Sequence, residues 1–476
     1  MTEPVIVPRA EHPISRRDID SDALKVLYRL HESGAVAYLV GGSVRDLLLS
    51  RRQKDFDIGT SAHPYQVKKL FRNCWIIGRR FRLAHVRFGL KTIEVATFRK
   101  IIPAGSESEP AEAEPRQEEA VRLDPVAQGR ADAQALLNPK HPHDNTFGTP
   151  EEDAFRRDFT INALFYDIGT FSIIDYVGGL QDLKDGLIRC IGDPNERFQE
   201  DPVRMLRAIV MASRLNFRID RPIVDAIAKH RGLMATASAS RLIEEYYKIL
   251  RSGYAEPTFR GLAEHRLLEP VTPEIQRGAR NKAVWDSLAA LDAYRRKFET
   301  APAALRNPIL LGTLLLPLGL MPRSERRPFE PEPEPEPEQV DGNALQSKAK
   351  SRFRRPPKEP ILKIGMLPIA RGDTERLRQI LSLQTRIADL EMTPRAKRAL
   401  MHRGPFEDAL TWFEIHGNAP AVLEHWKGFI EALGPAALHS PPHEEGAAPH
   451  ADGRAPDVGR RRRGRRRRGR HTFKTP

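Results

Sequence analysis

The first hundred residues switch repeatedly between two spacings of apolar positions. Leu24, Val26, Leu27 and Leu30 recur at helical spacing, which predicts an amphipathic helix that ends at Gly34. Short apolar or alternating runs predict helix starts at 43 and 64 and strands at 36–40, 54–58, 75–78, 85–88, 92–98, 163–168 and 172–175. This alternation, with antiparallel strand neighbours expected, predicts an α/β or α+β unit.

Helical spacing dominates the rest of the chain. Met205, Leu206 and Ile209 lie three and four positions apart, as do Ile223 and Ile227 further on. We predict a sheet-containing unit over 23–190, a helical region over 191–322 and a C-terminal helical domain over 359–434. The fold class expected for the whole chain is therefore α+β. The most apolar stretch, 308–321, is about 14 residues long, too short to cross a membrane, and predicts a buried core helix.

Composition marks the segments between these units. The chain has 476 residues, enough for two or three domains. Residues 1–22 form an N-terminal extension, and the acidic, proline-rich segment 102–143 is predicted to be a flexible insertion. Residues 323–358 include the run EPEPEPEPE and predict an extended linker, and 435–476 predict a disordered tail.

The positive charge is concentrated in that tail. The formal net charge is +14, and residues 460–470 (RRRRGRRRRGR) contain nine arginines, so the remainder carries only about +5. An arginine run of this kind binds phosphate backbones without sequence preference, although its composition also fits a nuclear-type signal or a solubilising end. The RNA-binding candidates are Arg460, Arg461, Arg462, Arg463, Arg465, Arg466, Arg467 and Arg468.

The two cysteines, Cys74 and Cys190, exclude a disulfide framework and a four-thiolate zinc site. Few cysteines fit a reducing compartment. The first twenty residues contain no apolar core of the kind a secretory signal needs. We therefore expect a cytoplasmic protein without a transmembrane segment.

Two short motifs in the first sixty residues carry candidate chemistry. Gly41 and Gly42 end a predicted strand and open a helix, so backbone N–H groups can approach a phosphate, with Arg45 as a cation nearby. Asp55 and Asp57 share one face of a predicted strand and place two carboxylates side by side, which favours Mg²⁺. Each motif alone is commonly a glycine turn or a solvated strand end. Together they predict nucleotidyl transfer with two metal ions.

Three further positions extend this candidate site. Glu94 lies within an apolar strand-type run and is either a third metal ligand or an edge charge facing water. In the run RRDFTINA, Arg157 and Asp158 suit a phosphate and a ribose hydroxyl, and the alternative is a charged helix start.

A third cluster, EDPVRMLR, contains Asp201, Arg204 and Arg207. Pro202 at a first helical turn places Asp201 near the N-cap, and the two arginines share a helix face. An Asp acceptor and an Arg donor can together bind the edge of a base. Without further context, a helix cap and a surface ion pair are the favoured explanation of these residues.

Taken in order, these motifs resemble a known family. LVGGSVRDLLL, DFDIGT, EVATFR, RRDFTINALFYD, DYVGGLQDLKDGLIRCIG and EDPVRMLRA are similar to the class II nucleotidyltransferases, which include CCA-adding enzymes and bacterial poly(A) polymerases. The resemblance is strong over 14–217 and loose beyond it. The segment 78–86 (GRRFRLAHV), the N-terminal segment from His12 and the arginine-rich end resemble the poly(A) polymerase group.

The resemblance implies a nucleotidyltransferase head, a helical neck and body, and roles for individual residues. Asp55 and Asp57 would hold the Mg²⁺ ions, with Glu94 as the third acidic position. Gly41, Gly42, Ser43 and Arg45 would contact the triphosphate, Arg157 the phosphates and Asp158 the ribose, whereas Asp201 and Arg204 would read the base. The full set of nucleotide-binding candidates is Gly41, Gly42, Ser43, Arg45, Arg157, Asp158, Asn162, Asp201, Arg204 and Arg207.

The implied reaction is template-independent addition of AMP from ATP to RNA 3′ ends, which promotes RNA decay. The expected partners are RNA 3′ ends, ATP, RNA-decay machinery and RNA chaperones, and a monomer is expected. One alternative is a CCA-adding enzyme of the same fold that uses CTP and ATP on tRNA. Another is a non-catalytic RNA-binding protein on an inactive transferase fold.

Overall fold

A computed structural model describes residues 3–51, 53, 55–78, 82–100, 147–320 and 363–433. An eight-stranded mixed sheet forms its N-terminal part, in the order β1-β8-β7-β2-β3-β6-β5-β4. The strands are β1 (Val5–Val7), β2 (Ala37–Val40), β3 (Ile58–Thr60), β4 (Cys74–Ile77), β5 (Leu83–Phe88), β6 (Lys91–Thr97), β7 (Leu164–Asp167) and β8 (Ser172–Asp175). All neighbours are antiparallel except β3 and β6, which run parallel. The α+β prediction is confirmed.

Helices pack against this sheet. They are α1 (Ser21–Glu32), α2 (Gly42–Leu48), α3 (Pro64–Leu70), α4 (Pro150–Phe155) and α5 (Gly179–Asp185). Asp20 caps α1 by accepting the N–H groups of Asp22 and Ala23. The predicted apolar positions Val26, Leu27 and Leu30 of α1 are completely buried, and each contributes about 1.5–3 kcal/mol to stability.

Two predictions for the sheet need correction. The strand predicted at 54–58 begins only at Ile58, so Asp55 and Asp57 lie in the extended segment before β3. Residues 1–22, predicted to be an extension, include Val5–Val7, which pairs with β8 as an edge strand of the sheet. Neither segment is long enough for a sequence window to fix its ends, because the pairing partner decides them.

Helices make up most of the remaining chain. They are α6 (Pro194–Glu200), α7 (Val203–Leu215), α8 (Arg221–His230), α9 (Ala239–Arg251), α10 (Ala255–Glu264), α11 (Pro273–Gly278), α12 (Lys282–Arg295), α13 (Asn307–Leu315), α14 (Arg371–Ser382), α15 (Gln384–Ala388), α16 (Pro394–Met401), α17 (Phe406–His416) and α18 (Pro420–Leu433). The prediction of purely helical domains misses two small strand pairs, β9 (Leu187–Ile188) with β10 (Arg218–Ile219), and β11 (Lys363–Ile364) with β12 (Leu367–Pro368).

The C-terminal helices pack on α13 and share its core. Every residue from Pro308 to Leu315 is buried, which confirms the predicted core helix over that part, whereas residues 316–319 form a turn and Leu316 is exposed. A Cβ at Gly312 would lie 2.6 Å from Cζ3 of Trp412 on α17, so glycine permits the close approach of the two helices. In the described ranges, no helix is long and apolar enough to cross a membrane.

Candidate nucleotide and metal site

The turn between β2 and α2 requires glycine at position 41. Gly41 has φ +67°, and a Cβ there would lie 2.7 Å from Nη1 of Arg157. The N–H of Gly41 donates to the carbonyl of Leu164 on β7, which ties the turn to the sheet. Helix α2 begins at Gly42, one residue before the predicted start, and its first N–H groups have no intrahelical acceptor. The turn thus gives a backbone surface that a phosphate can approach.

Ser43 and Arg45, two predicted triphosphate contacts, lie beneath this turn. The Ser43 hydroxyl is buried and donates to the Val40 carbonyl at 2.9 Å. Arg45 is 2 % exposed, and its guanidinium donates to Asp46 and to Oδ1 of Asn162. Burial lowers the pKa of Arg45, and Asp46 opposes that effect. The structure therefore places both side chains as supports of the turn, and direct triphosphate contact stays a prediction for them.

Asp55 and Asp57 lie at the edge of the glycine turn, and both are exposed. Phe56 between them is 4 % exposed, so Asp55 and Asp57 both project away from the core, as the spacing predicts. The Asp57 carbonyl accepts the N–H of Val40 at 3.1 Å, which extends the β2–β3 ladder by one residue. The backbone at Asp57 is therefore paired with the residue that precedes Gly41.

Glu94 lies on the strand next to Asp57. Parallel pairing places Ile58 opposite Val95, so Asp57 and Glu94 each precede a paired residue on adjacent strands. Across the β5–β6 ladder, Glu94 Oε1 lies 3.6 Å from Nε2 of His85. No group of three His, Cys, Asp or Glu side chains suited to a metal is found within the described part of the chain. The role of Glu94 as a third ligand therefore stays a prediction.

Negative charge accumulates at Asp57. Partial burial raises the pKa of Asp57 to about 6, the charges of Glu94 and Asp55 add to this rise, and Arg157 opposes it. Carboxylates that repel one another in this way are stabilised by a divalent cation, for which their hard oxygen atoms are suited. The donor set of Asp55 and Asp57 therefore fits Mg²⁺.

A buried carboxylate, Asp153 on α4, holds Arg157 in place. Its Oδ2 accepts Nη2 of Arg157 at 2.9 Å, and its Oδ1 accepts Nε of Arg156 at 2.7 Å. Burial alone would raise the pKa of Asp153, but the two arginines outweigh burial and lower it. Arg157 also donates to the carbonyl of Asn162 and lies over the Phe165 ring, 5.4 Å from its centroid. The guanidinium of Arg157 is thus fixed beside the glycine turn, and its charge acts on Asp57.

A second polar chain links Asp158, Asn162 and Arg45 inside the molecule. Oδ1 of Asp158 accepts Nδ2 of Asn162 at 3.2 Å, and Asn162 in turn accepts Arg45. Oδ2 of Asp158 lies 2.7 Å from Nη2 of Arg207 on α7. The structure therefore brings four predicted nucleotide-binding residues, Arg45, Asp158, Asn162 and Arg207, into one hydrogen-bonded and ion-paired row.

Asp201 and Arg204 lie together at the start of α7 but have other partners. Oδ1 of Asp201 accepts the N–H of Val203, the first residue of α7, and both its oxygen atoms accept Arg241 of α9, at 2.9 and 2.7 Å. Arg204 donates to the Arg197 carbonyl at 2.8 Å and to Glu200 at 2.7 Å. Asp201 lies near the N-cap as predicted, the N-cap itself being Pro202, and base reading by Asp201 and Arg204 stays a prediction.

Some predicted segments lie outside the described residues. These are the arginines of 460–470, the whole insertion 102–143, the linker 323–358 and residues 79–81 of the segment at 78–86. Sequence reasoning also missed four supporting residues: Asp46, Asp153, Arg214 and Arg241. The spacing of Asp153 four positions before Arg157 is typical of a helical ion pair and would have revealed it. Arg241 lies 40 positions from Asp201 and has no local signal of this kind.

Comparison with family models gives a match over the part of the chain that contains the candidate site. Residues 37–189, which contain the glycine turn, both aspartates, Glu94 and Arg157, match the model of the "Poly A polymerase head domain". Further along the chain, residues 216–278 match a model described as "Probable RNA and SrmB- binding site of polymerase A".

Curated relatives agree with the head-domain match. The chain is 49% identical to Poly(A) polymerase I of Salmonella typhi over 272 residues, which are 57% of this chain and 54% of that protein. It is 40% identical to Poly(A) polymerase I of Haemophilus influenzae over 271 residues, 57% of this chain and 55% of the relative. A CCA-adding enzyme of Lactobacillus helveticus is 35% identical over 53% of this chain and 56% of its own length. The matches thus span about half the length of these relatives.

A solved structure resembles the chain beyond the head domain. It is the Bacillus stearothermophilus CCA-adding enzyme in complex with CTP, with a TM-score of 0.54 and 25% sequence identity. The match covers 86% of this chain and 82% of that protein. The helical part of the chain therefore follows the nucleotidyltransferase architecture as well as the head domain.

Proposed function

We propose that this chain is a template-independent polynucleotide adenylyltransferase, which transfers AMP from ATP to the 3′ end of RNA. The observation that carries the proposal is the position of Asp55 and Asp57 at the edge of the Gly41 turn, beside the fixed guanidinium of Arg157. Relatives named Poly(A) polymerase I, at 40–49% identity, support ATP as the nucleotide.

Asp55 and Asp57 would hold the divalent cation, taken as Mg²⁺ and as two ions. When bound there, Mg²⁺ lowers the pKa of the attacking 3′-hydroxyl and neutralises charge on the departing pyrophosphate. The 3′-oxygen forms a bond to the α-phosphorus of ATP, the bond to the pyrophosphate oxygen breaks, and the proton of the hydroxyl leaves to solvent. No covalent intermediate with the protein is needed. Glu94 keeps the local charge negative and would complete the acidic set.

The nucleotide would lie along the polar row beside the glycine turn. The backbone at Gly41 and Gly42 and the guanidinium of Arg157 present donors to the phosphates, and Asp158 presents an acceptor to a ribose hydroxyl. Arg45 and Asn162 support that row from beneath, so they orient these groups even where they do not touch the nucleotide. Fixed donors of this kind stabilise charge that develops during phosphoryl transfer.

Base selection would lie at the start of α7. Asp201 offers acceptors and Arg204 offers donors, a combination that matches the edge of a base, and Arg207 lies one turn further along. For Asp201 to read a base, its bidentate pair with Arg241 has to open or to be shared. Binding of the nucleotide is therefore coupled to the contact between α7 and α9.

The alternative reaction is CCA addition, which the fold match to a CCA-adding enzyme favours. Purified protein, incubated with each labelled NTP and either a generic RNA or a tRNA that lacks its CCA end, separates the reactions. We expect extension of the generic RNA with ATP only. Incorporation of CTP into the tRNA would favour CCA addition, and no incorporation on either RNA would indicate a non-catalytic RNA-binding protein.

The wider setting is part of the same proposal. RNA 3′ ends and ATP are the proposed substrates, and RNA-decay machinery and RNA chaperones the proposed partners. The protein would act as a monomer in the cytoplasm. The two proposed substrates, RNA and ATP, follow from the proposed reaction, because addition of AMP to an RNA 3′ end requires both an RNA and an adenylate donor.

A further inference from the structure

A row of four side chains crosses the outer face of the sheet, which is the face turned away from α1 and α3. Glu94 lies directly opposite His85 in the β5–β6 pair, and His85 lies opposite Trp75 in the β4–β5 pair. Asp57 adjoins Glu94 at the other end, where β3 and β6 run parallel. Directly opposed residues on neighbouring strands share a face, so all four side chains project to the same side. At about 4.8 Å per strand, Trp75 lies about 14 Å from Asp57.

Trp75 is exposed at the edge of the sheet. It lies on β4, the last strand in the sheet order, and it is 49% exposed. Ile77, two positions further along the same face, is exposed to the same extent. The other three tryptophans of the chain, Trp285, Trp412 and Trp426, are all buried. Exposed patches of large apolar side chains mark interaction sites, so this edge of the outer face suits a ligand with a flat apolar surface.

A cation accompanies the exposed indole. Arg87 on β5 lies opposite Asn73, and its N–H donates to the Asn73 carbonyl at 2.9 Å. This pair is the next one along the same face from Trp75 and His85. Arg87 is exposed and has no ion-pair partner among the described residues. Proteins that bind single-stranded nucleic acid combine cations of this kind, which contact the backbone, with aromatic side chains on which bases stack. The outer face offers both.

The chemistry of the proposed transfer puts the RNA on this side of the metal site. In the proposed function, the triphosphate lies on the β2 side of Asp57, at Gly41 and Arg157. In-line displacement requires the attacking oxygen and the departing pyrophosphate to lie on opposite sides of the α-phosphorus. The 3′-hydroxyl therefore approaches Asp57 from the side of Glu94, and the RNA behind it extends over β6, β5 and β4, which follow β3 in the sheet. That path crosses the outer face to Trp75.

We propose that Trp75 stacks on a base of the RNA about two to four nucleotides upstream of the reacting 3′ end, with Arg87 on a phosphate of the same segment. The inference rests on the proposed function, because it assigns the upstream part of the same substrate. A span of about 14 Å corresponds to about four stacked nucleotides at about 3.4 Å each, and to fewer in an extended strand. Because every base has a flat face, the ring holds the RNA in register with Asp57 whatever its sequence.

Two other occupants would use the same edge of the sheet. A second copy of this chain would pair along β4, and an apolar protein segment would cover Trp75 and Ile77. Neither needs an unpaired arginine beside the indole, and neither explains why the exposed face is continuous with the metal site. RNA uses both features.

Tryptophan fluorescence of the full chain tests the stacking contact without ATP. Because the other three tryptophans are buried, we expect oligo(A) of six nucleotides to quench mainly the emission of Trp75. W75F should abolish this quenching and retain most of the affinity for the labelled hexamer, measured by anisotropy, because a ring remains. W75A should weaken hexamer binding at least about fivefold, since it removes one stacking contact. Y65A, which removes a half-exposed ring on α3, is the matched control and should change neither quenching nor affinity.

Kinetics with primers of two lengths locates the contact along the RNA. At saturating ATP, W75A should raise the KM for a six-nucleotide primer at least about fivefold and leave the KM for a two-nucleotide primer unchanged. The kcat and the KM for ATP should stay within about twofold, because the contact lies upstream of the reacting end. R87Q should reduce the log–log salt slope of hexamer binding by about 0.7, whereas R395Q, at an exposed position on α16, should not change it.

Equal quenching by the hexamer in the parent and W75F, or equal hexamer affinity in the parent and W75A, would overturn the proposal. So would a change from dimer to monomer in W75A with RNA affinity unchanged, which would assign β4 to a second copy. Failure of ATP incorporation by the parent, together with hexamer binding that depends on Trp75, would instead contradict the proposed function and leave the RNA contact standing, because binding needs no catalysis.

Discussion

Nη2 of Arg214 lies 2.7 Å from Oδ2 of Asp46, a carboxylate that is 1 % exposed. The contact joins α7, which carries the proposed base-reading residues, to α2 behind the glycine turn. Asp46 uses its other oxygen atom to accept Nε of Arg45 at 2.8 Å. The same Arg45 donates to Asn162, so one row of contacts runs from α7 through the head domain to Asp158.

We predict that Arg214 positions the nucleotide without touching it. R214Q removes the partner of Oδ2 and leaves Arg45 less firmly held, so the KM for ATP should rise while kcat stays within about twofold. The loss of one charged hydrogen bond should reduce stability by about 1–2 kcal/mol. R214K, which keeps the charge, should recover part of the KM effect. Steady-state kinetics and chemical unfolding measure the two quantities.

The control for this prediction is R221Q. Arg221 forms an exposed ion pair with Asp225 on α8, and its side chain is 82% exposed. Pairs of this kind contribute about 0–1 kcal/mol, so neither stability nor KM should change appreciably. Equal KM values for the parent, R214Q and R221Q, with lower stability in R214Q only, would give Arg214 a purely structural role.

The charge at Asp57 predicts a stability that depends on pH. Its pKa is raised from 3.8 to about 6, so the folded state binds the proton more tightly than the unfolded state does. Ionisation of the Asp57 carboxyl therefore lowers the free energy of unfolding above pH 6. This loss of stability disappears below about pH 4, where the carboxyl is protonated in both states. In EDTA, D57N should be more stable than the parent at pH 8, and the difference should shrink as the pH falls through 6 to 4. D225N is the surface control, and an equal, pH-independent effect of both would refute the assignment.

Base selection gives a third prediction. R204A should raise the KM for ATP and lower the preference for ATP over CTP, because a site that hydrogen-bonds a base discriminates through the groups that a wrong base leaves unpaired. Arg204 also bonds Glu200, so E200Q serves as the control that disturbs the helix contact and keeps the guanidinium. If R204A preserved the ATP/CTP ratio and only lowered the melting temperature, Arg204 would be a packing residue.

The arginine-rich end should act through RNA affinity alone. Deletion of 459–476 should leave single-nucleotide addition at saturating RNA nearly intact, weaken RNA binding and reduce additions per encounter. Each arginine that meets a phosphate releases a counterion, so the log–log salt slope should fall by about 0.7 per lost contact. Binding and extension between roughly 50 and 200 mM salt measure both effects. Equal slopes for both proteins would assign the arginines to another partner.

Sequence periodicity captured the strands that carry long alternating or apolar runs. Residues 172–175 were predicted as a strand and form β8 with the same bounds, and three of the four predicted apolar positions of α1, Val26, Leu27 and Leu30, are buried. The edge strand at Val5–Val7 was missed, because its pairing with β8 spans some 170 positions and leaves no local signal. Strand bounds near Asp55 were wrong for a related reason: the neighbouring strands, not the local sequence, decide where pairing begins.

In the candidate site too, local motifs could be predicted from the sequence, whereas contacts between distant residues could not. Motif spacing identified Asp55, Asp57, Arg157 and Asp158, which lie on or beside the glycine turn and the polar row. The family resemblance implied direct triphosphate contact for Ser43 and Arg45, and that contact stays a prediction, although both side chains are buried below the turn. The partner of Ser43, Val40, lies only 3 positions away, but the partner of Arg45, Asn162, lies 117 positions away, and burial of a charged side chain depends on such a long-range contact. The role of Arg241 depends on a tertiary contact and could not be predicted.

The central claim is that Asp55 and Asp57 form the metal site of an ATP-dependent RNA adenylyltransferase. Its most direct test is incorporation of labelled AMP into oligo(A) RNA by the parent, D55A and D57A, with D225A as the surface control and circular dichroism as the check of folding. Loss of the metal ligands should cost several kcal/mol of transition-state stabilisation. The account predicts at least about a 10³-fold loss of rate in both variants, which corresponds to about 4 kcal/mol, and none in D225A. A folded D55A or D57A protein that extends RNA at nearly the parent rate would contradict it.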